Sequence, residues 1–280
     1  MDIGLIGCGN MARAMARGWG QPVLCFDPAT DRAEALAAEL GGDVLDSNAE
    51  VAERADLVVL CHKPAQLGAV AQEVAPSAKA VASILAATPL SAIESAYPGL
   101  PVYRFLPSLA AEVRRGAIVQ AADPGREANS GRGESLGARV RDLFAQLGTL
   151  VVLDEALIDV AMGLMSCAPA YVALVAEAQV DAGVRRGIPP ALASALVTET
   201  LAGTAELLRK RGHDTLAVRR EVTSPGGMTA RGLDALERGG VRTAFSDALD
   251  AVLDHGPPKM TAGKAGRARV SEGAGLEGRG

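Results

Sequence analysis

The sequence predicts an α/β chain in two parts, an N-terminal doubly wound parallel sheet followed by an all-helical domain. Three observations predict it. Through Leu153, short and nearly continuous apolar runs alternate with helical patterns, as in parallel strands buried on both faces. The first run, Ile3-Gly4-Leu5-Ile6, leads straight into a glycine turn, Gly7-Cys8-Gly9-Asn10-Met11-Ala12, and then into a helical pattern. From about Asp154 onward the apolar spacing is that of helices alone.

The glycine turn carries G-x-G-x-x-A spacing where it has mechanical meaning, between a strand and a helix. Gly7 permits the tight turn, Gly9 lets backbone approach a pyrophosphate, and Ala12 lets the helix pack on the strand. Free amides at the helix start then face the phosphates. The spacing predicts a Rossmann-type dinucleotide site taking in Ile6, Gly7, Cys8, Gly9, Asn10, Met11 and Ala12. Met11 to Trp19 is the first helix, and Pro22 to Phe26 is a second strand ending at Asp27. A carboxylate at such a strand end suits the adenosine ribose hydroxyls and repels a 2′-phosphate, which favours NADH over NADPH. Arg32 nearby softens that preference. The alternative is that Asp27 caps the helix from about Thr30, although Thr30 or Asp31 can serve there instead.

Ala33 to Leu40 is helical and closes at Gly41-Gly42. Val44 and Asp46-Ser47-Asn48 follow, then a helix from Ala49 to Arg54, then the strongly apolar strand Asp56 to Cys61, which runs into His62-Lys63-Pro64. Ligands of such sheets bind at the carboxyl ends of the strands, so Cys61 to Pro64 shares a rim with Gly7 to Ala12. Further strands are expected at Ala80 to Leu85, Val102 to Phe105, Ala117 to Gln120 and Leu150 to Leu153, with Arg104 to Ser108 ending at the rim. Asp123 to Gly137, rich in Gly, Ser, Asn and charge, reads as a loop before a helix from Leu136 to Leu147.

The second part reads as helices Ala156 to Ser166, Ala170 to Arg186, Pro190 to Arg211, Thr229 to Arg238 and Val241 to Leu253. Tyr171 to Val184 is apolar almost all round and demands burial, preferably against another subunit. Thr223 to Thr229 puts Gly226 and Gly227 before a helix start, with hydroxyls on both sides. That arrangement suits a carboxylate; it equally suits a Pro-Gly turn with Thr229 as N-cap, and both can hold. The resulting division is residues 1–153 for the dinucleotide domain, 154–254 for the helical domain and 255–280 for a disordered tail.

Composition narrows the partners. Apolar residues make up 49% and aromatics only 3%, so Ala and Leu carry a globular core. The formal charge of -5, with Lys and Arg dispersed, leaves no footprint for nucleic acid. No charged leader and no apolar run of membrane-spanning length is read, so a cytoplasmic location and no membrane partner are expected. Cys8, Cys25, Cys61 and Cys167 lack C-x-x-C spacing, and His62, His213 and His255 are dispersed, so neither a disulfide framework nor a metal site is expected.

Several of these stretches together resemble one family, the pyrroline-5-carboxylate reductases. Gly7 to Ala12 resembles the family's dinucleotide turn, and Cys61-His62-Lys63-Pro64 resembles its Ala-Val-Lys-Pro rim loop. Asn48 falls where the family uses an asparagine near the cofactor. Arg104 with Pro107 resembles its Arg-x-Met-Pro-Asn turn. Asp159 through Pro169-Ala170-Tyr171 and Ala178 to Gly187 resemble its dimerisation helices. Ser224-Pro225-Gly226-Gly227 and Leu236 to Gly239 resemble its substrate loop and the helix after it. The chain departs from the family pattern at Leu106 to Ala110, at Ser166-Cys167-Ala168 and at Met228.

The resemblance implies reduction of a cyclic imine carboxylate by NAD(P)H, in a homodimer or higher homo-oligomer. Asn48, Cys61, His62, Lys63 and Pro64 would line the cofactor rim. Ser224, Gly226, Gly227, Met228 and Thr229 would bind the substrate, with the Thr229 hydroxyl as catalytic group near the ring nitrogen. Lys63 as a base is the weaker assignment, since a rim lysine is more often solvated. The alternatives are a reductase of another cyclic imine and a dinucleotide-binding regulatory protein. A β-hydroxyacid dehydrogenase would want a catalytic lysine in the second domain, and none lies between Met162 and Leu208.

Overall fold

The computed structural model describes residues 1–122 and 136–254. An eight-stranded sheet, ordered β3-β2-β1-β4-β5-β6-β7-β8, forms the first half. β1 (Ile3–Ile6) and β4 (Leu57–Leu60) pair in parallel and are buried along their whole length, which is why they read as unbroken apolar runs. β2 (Leu24–Phe26) and β3 (Asp43–Val44) extend the sheet on one side, and β5 (Val81–Ser83) and β6 (Val102–Pro107) on the other, all parallel. Strand order reverses between β1 and β4, the switch point where such sheets open a crevice.

The parallel sheet expected throughout ends at β6. β7 (Gly116–Ala121) runs antiparallel to β6, and β8 (Gly148–Leu153) then pairs parallel to β7. Chain length explains the reversal: only a short 3-10 turn, Leu109–Val113, separates β6 from β7, too little for the crossover that a parallel neighbour needs.

Helices cover both faces. α1 (Asn10–Trp19), α2 (Thr30–Leu40) and α6 (Leu136–Ala145) bury Met15, Leu36 and Phe144 on one face, where Phe144 stacks on Phe105 at 3.8 Å and the Trp19 indole N–H donates to the Leu143 carbonyl. α3 (Asn48–Arg54), α4 (Leu67–Val74) and α5 (Leu90–Ala96) bury Val51, Val74 and Ile93 on the other. β3, α4 and α5 escape the sequence reading because each is too short to show a period. The loop expected at Asp123 to Gly137 falls outside the described residues, except that Leu136 and Gly137 open α6. The tail from His255 lies wholly outside them.

A 3-10 turn (Glu155–Leu157) leads into the helical half: α7 (Ile158–Met165), α8 (Ala168–Val184), α9 (Pro190–Lys210), α10 (Thr215–Glu221), α11 (Met228–Arg238) and α12 (Val241–Leu253). Ile158 and Ala161 of α7 join Leu106, Val119 and Ala121 in one apolar cluster that attaches this half to the sheet. α8 buries no residue and α9 only Ala193; Val172, Leu174, Leu192 and Leu196 are each more than half exposed. The burial demanded by Tyr171 to Val184 is therefore not met within one chain. Two helical stretches, Glu155–Val184 and Pro190–Lys210, are long and apolar enough to cross a membrane by length and composition. This corrects the reading that no run reaches that length: the isolated charges Glu177, Asp181 and Glu199 interrupt the runs without making them polar.

Candidate active site

The first cluster of expected residues meets on the rim between β1 and β4. Gly7 has φ +94°, and a Cβ there would stand 2.9 Å from the carbonyl of Cys61 and 3.0 Å from the His62 nitrogen, so the turn passes backbone against backbone over the end of β4. Around Gly9, by contrast, a Cβ would meet nothing within 4 Å. Gly9 is the N-cap residue of α1, without a side-chain cap and without an acid in the first turn. The amides at the start of α1, from Asn10 to Ala12, are therefore open to an anion, and only backbone lies where a diphosphate would approach. Ile6 and Cys8 are buried beneath the turn.

Asp27 leaves β2 and turns back towards this loop. Its Oδ2 accepts the Cys8 N–H at 2.7 Å and its Oδ1 accepts the Ala29 N–H at 2.8 Å. It does not cap α2, whose N-cap position is Ala29 and has no side-chain cap. The carboxylate keeps outward lone pairs for hydroxyl donors. Asn48 begins α3, capped by Ser47; its Nδ2 donates to Glu73 at 3.1 Å, while its Oδ1 is buried without a partner.

On the β4 side, His62 Nδ1–H donates to the Lys63 carbonyl at 2.9 Å. Burial lowers the His62 pKa, with that hydrogen bond opposing the shift. Lys63 is exposed, and its N–H donates to Gln66 as Pro64 opens a 3-10 turn. The Cys8 thiol, hydrogen-bonded with Cys25 and buried, is pushed above the ordinary thiol range, as burial does for Cys61. These thiols are neutral packing groups rather than nucleophiles. Among the described residues no group of His, Cys, Asp or Glu could hold a metal ion.

The second cluster sits at the N-terminus of α11. Gly227, not Thr229, is the N-cap residue, so Thr229 is the second residue of the helix and the expectation that it caps is corrected. The Gly227 N–H donates to the Ser224 carbonyl at 3.1 Å, and a Cβ on Gly227 would stand 2.3 Å from Ser224 Oγ, which folds the loop tightly under the helix start. α11 has no acid in its first turn, and Met228 is 90% exposed. Among the described residues, α11 packs against α12, and no hydrogen bond ties Ser224–Thr229 to the rim. The structure thus builds two anion-receptive helix starts but does not join them within one chain.

Sequence reasoning assigned no role to a third group. Arg104 of β6 is 2% exposed and paired with Glu155 and with Asp159, the latter at 3.2 Å. An arginine inside an otherwise apolar strand was the signal for it. Glu155 carried a weaker one, lying one helical turn before Asp159.

Residues 155–256 match the family model for pyrroline-5-carboxylate reductase dimerisation, and residues 2–87 match the model described as NADP oxidoreductase coenzyme F420-dependent. Over 265 residues, 91% of this chain and 97% of the relative, the chain is 36% identical to the pyrroline-5-carboxylate reductase of Thermus thermophilus. The chain belongs to the pyrroline-5-carboxylate reductase family. Pyrroline-5-carboxylate reductase 3 of Macaca fascicularis is 35% identical over 264 residues, 89% of this chain and 92% of that one. The solved 1-pyrroline-5-carboxylate reductase of Streptococcus pyogenes superimposes with a TM-score of 0.80 at 29% identity, covering 91% of this chain and 97% of that one. The Plasmodium falciparum pyrroline carboxylate reductase with NADP bound gives a TM-score of 0.78 at 25% identity over 90% and 95% of the two chains.

Within this family the departures have definite places. Ser108 is buried, and its Oγ accepts the Ala117 N–H at 3.0 Å, fixing the start of β7. Cys167 occupies the N-cap position of α8. Met228, the first residue of α11, projects into solvent.

Proposed function

We propose that this chain reduces pyrroline-5-carboxylate to proline with a nicotinamide dinucleotide, in the domain division 1–153, 154–254 and tail, in the cytoplasm. The observation that carries the reading is family membership over 91% of a chain with open amides at both Asn10–Ala12 and Met228–Thr229. The rim fits the cofactor: Gly7 and Gly9 leave backbone alone beside the diphosphate position, and α1 presents its unpaired amides there.

When bound, the reduced nicotinamide supplies the hydride that adds to the imine carbon, and the protonated imine nitrogen becomes the secondary amine of the product. The protein's part is positioning and charge placement. Met228 and Thr229 hold the substrate carboxylate through their open amides, with Gly226 and Gly227 shaping the loop and Ser224, whose carbonyl takes the Gly227 N–H, bracing it. The Thr229 hydroxyl hydrogen-bonds at the ring nitrogen and keeps its proton there. A protonated imine is already electrophilic, so no strong acid is needed, and Lys63 contributes backbone rather than its amine. Asp27 binds the adenosine ribose and, by its charge, favours NADH over NADPH. Cys61 to Pro64 and Asn48 complete the rim.

The functional unit is a homodimer or larger homo-oligomer. The exposed apolar faces of α8 and α9 support this, as does the dimerisation model covering them. No membrane or nucleic-acid partner is invoked, because a second copy satisfies those faces.

Oxidation of NADH and NADPH, followed in parallel with pyrroline-5-carboxylate and with piperideine carboxylates, tests the reading. Pyrroline-dependent oxidation with NADH the better donor is expected; cofactor binding without oxidation by any cyclic imine would refute it. Exposed Met228, where the family has a smaller residue, favours a second reading in which another cyclic imine is the better substrate.

A further inference from the structure

Arg104 is buried in β6, and its two terminal nitrogens reach carboxylates of the helical half, Glu155 in the 3-10 turn and Asp159 in α7. Glu155 Oε1 also accepts the Leu90 N–H at 2.9 Å, at the first residue of α5. Leu90 follows the rim loop Leu85–Pro89, where Ala87 is held at φ +49°, a left-handed conformation that a Cβ disfavours. One carboxylate therefore ties the start of α5 and the middle of β6 to the start of the helical half.

Adhesion is not what this contact adds. The apolar cluster of Leu106, Val119, Ala121, Ile158 and Ala161 already joins the two halves. Arg104 Nε and Glu155 Oε2 are buried without partners, and ion pairs whose buried member is incompletely satisfied are a poor source of stability. What the fork geometry supplies is orientation.

We propose that Arg104 is a positioning residue which, through Glu155 and Asp159, holds the strained loop Leu85–Pro89 in fixed register with the helical half and so sets the imine against the nicotinamide. The proposal rests on the reading of the chain as an imine reductase. Its test uses Glu155, which is partly exposed and whose loss leaves Arg104 paired with Asp159. Glu155→Ala is expected to lower kcat at least tenfold while leaving the dissociation constant for NADH within twofold. Glu155→Gln keeps an acceptor for Leu90 and is expected to restore most of that loss. Independently of turnover, Ala87→Gly is expected to raise the melting temperature by a few degrees in the parent chain and to give no gain in the Glu155→Ala background, where the loop relaxes. An unchanged kcat in Glu155→Ala, or the same gain from Ala87→Gly in both backgrounds, would overturn the proposal. A parent chain inactive with every imine would refute the functional reading alone, because the stability cycle still decides whether Glu155 holds the loop.

Discussion

The carboxylate of Asp27 accepts the backbone N–H of Cys8 at 2.7 Å, so the acidic residue at the end of β2 buttresses the glycine turn. Asp27→Ala removes that charge-assisted hydrogen bond and the one to Ala29, and is expected to destabilise the chain by about 1–3 kcal/mol. In fluorescence titrations the same variant should bind NADH about tenfold more weakly and lose discrimination against NADPH. A chain that keeps its preference without Asp27 would show that the preference arises elsewhere.

Two glycines separate folding from cofactor binding. A Cβ on Gly18 would stand 2.3 Å from the Ala111 carbonyl oxygen, whereas one on Gly9 would meet nothing. Gly18→Ala should therefore cost about 1–3 kcal/mol in denaturant unfolding. Gly9→Ala should unfold close to the parent and weaken NADH binding measured by calorimetry, because on the proposed cofactor site its side chain occupies the diphosphate approach.

Thr229 is assigned to the substrate alone. Thr229→Ala should raise KM for the imine about tenfold, the scale of one hydrogen bond, with the NADH dissociation constant unchanged. Equal effects on both would remove Thr229 from the substrate loop's chemistry.

The exposed face of α8 gives a test of assembly. Leu174 is 64% exposed in one chain, and on the proposed assembly, with α8 against a second copy, Leu174→Glu would bury a charge. Light scattering should report a shift from dimer to monomer, with NADH binding retained and turnover lost. A dimer undisturbed by Leu174→Glu would place the interface elsewhere.

The fold was legible where residues act locally. β1 and β4 declared themselves by unbroken apolar runs, and the turn from Gly7 to Ala12 by spacing. The reversal at β7 was not legible, because strand direction depends on the length of the preceding connection. That Gly7 to Ala12, Asp27 and Cys61 to Pro64 share one rim was readable, since each segment ends an identifiable strand. The Arg104–Glu155 pair was not, because it joins side chains 51 residues apart through tertiary contact. The fate of α8 was readable only as a demand for burial that a single chain leaves unmet.

Isotope transfer tests the central claim most directly. The purified chain is incubated with pyrroline-5-carboxylate and NADH deuterated on one face of the nicotinamide at the transferable position, then repeated with the other face labelled, and the product is analysed by mass spectrometry. The account predicts proline carrying the label from one face and none from the other. Label absent from proline in both experiments, with NADH bound throughout, would contradict it.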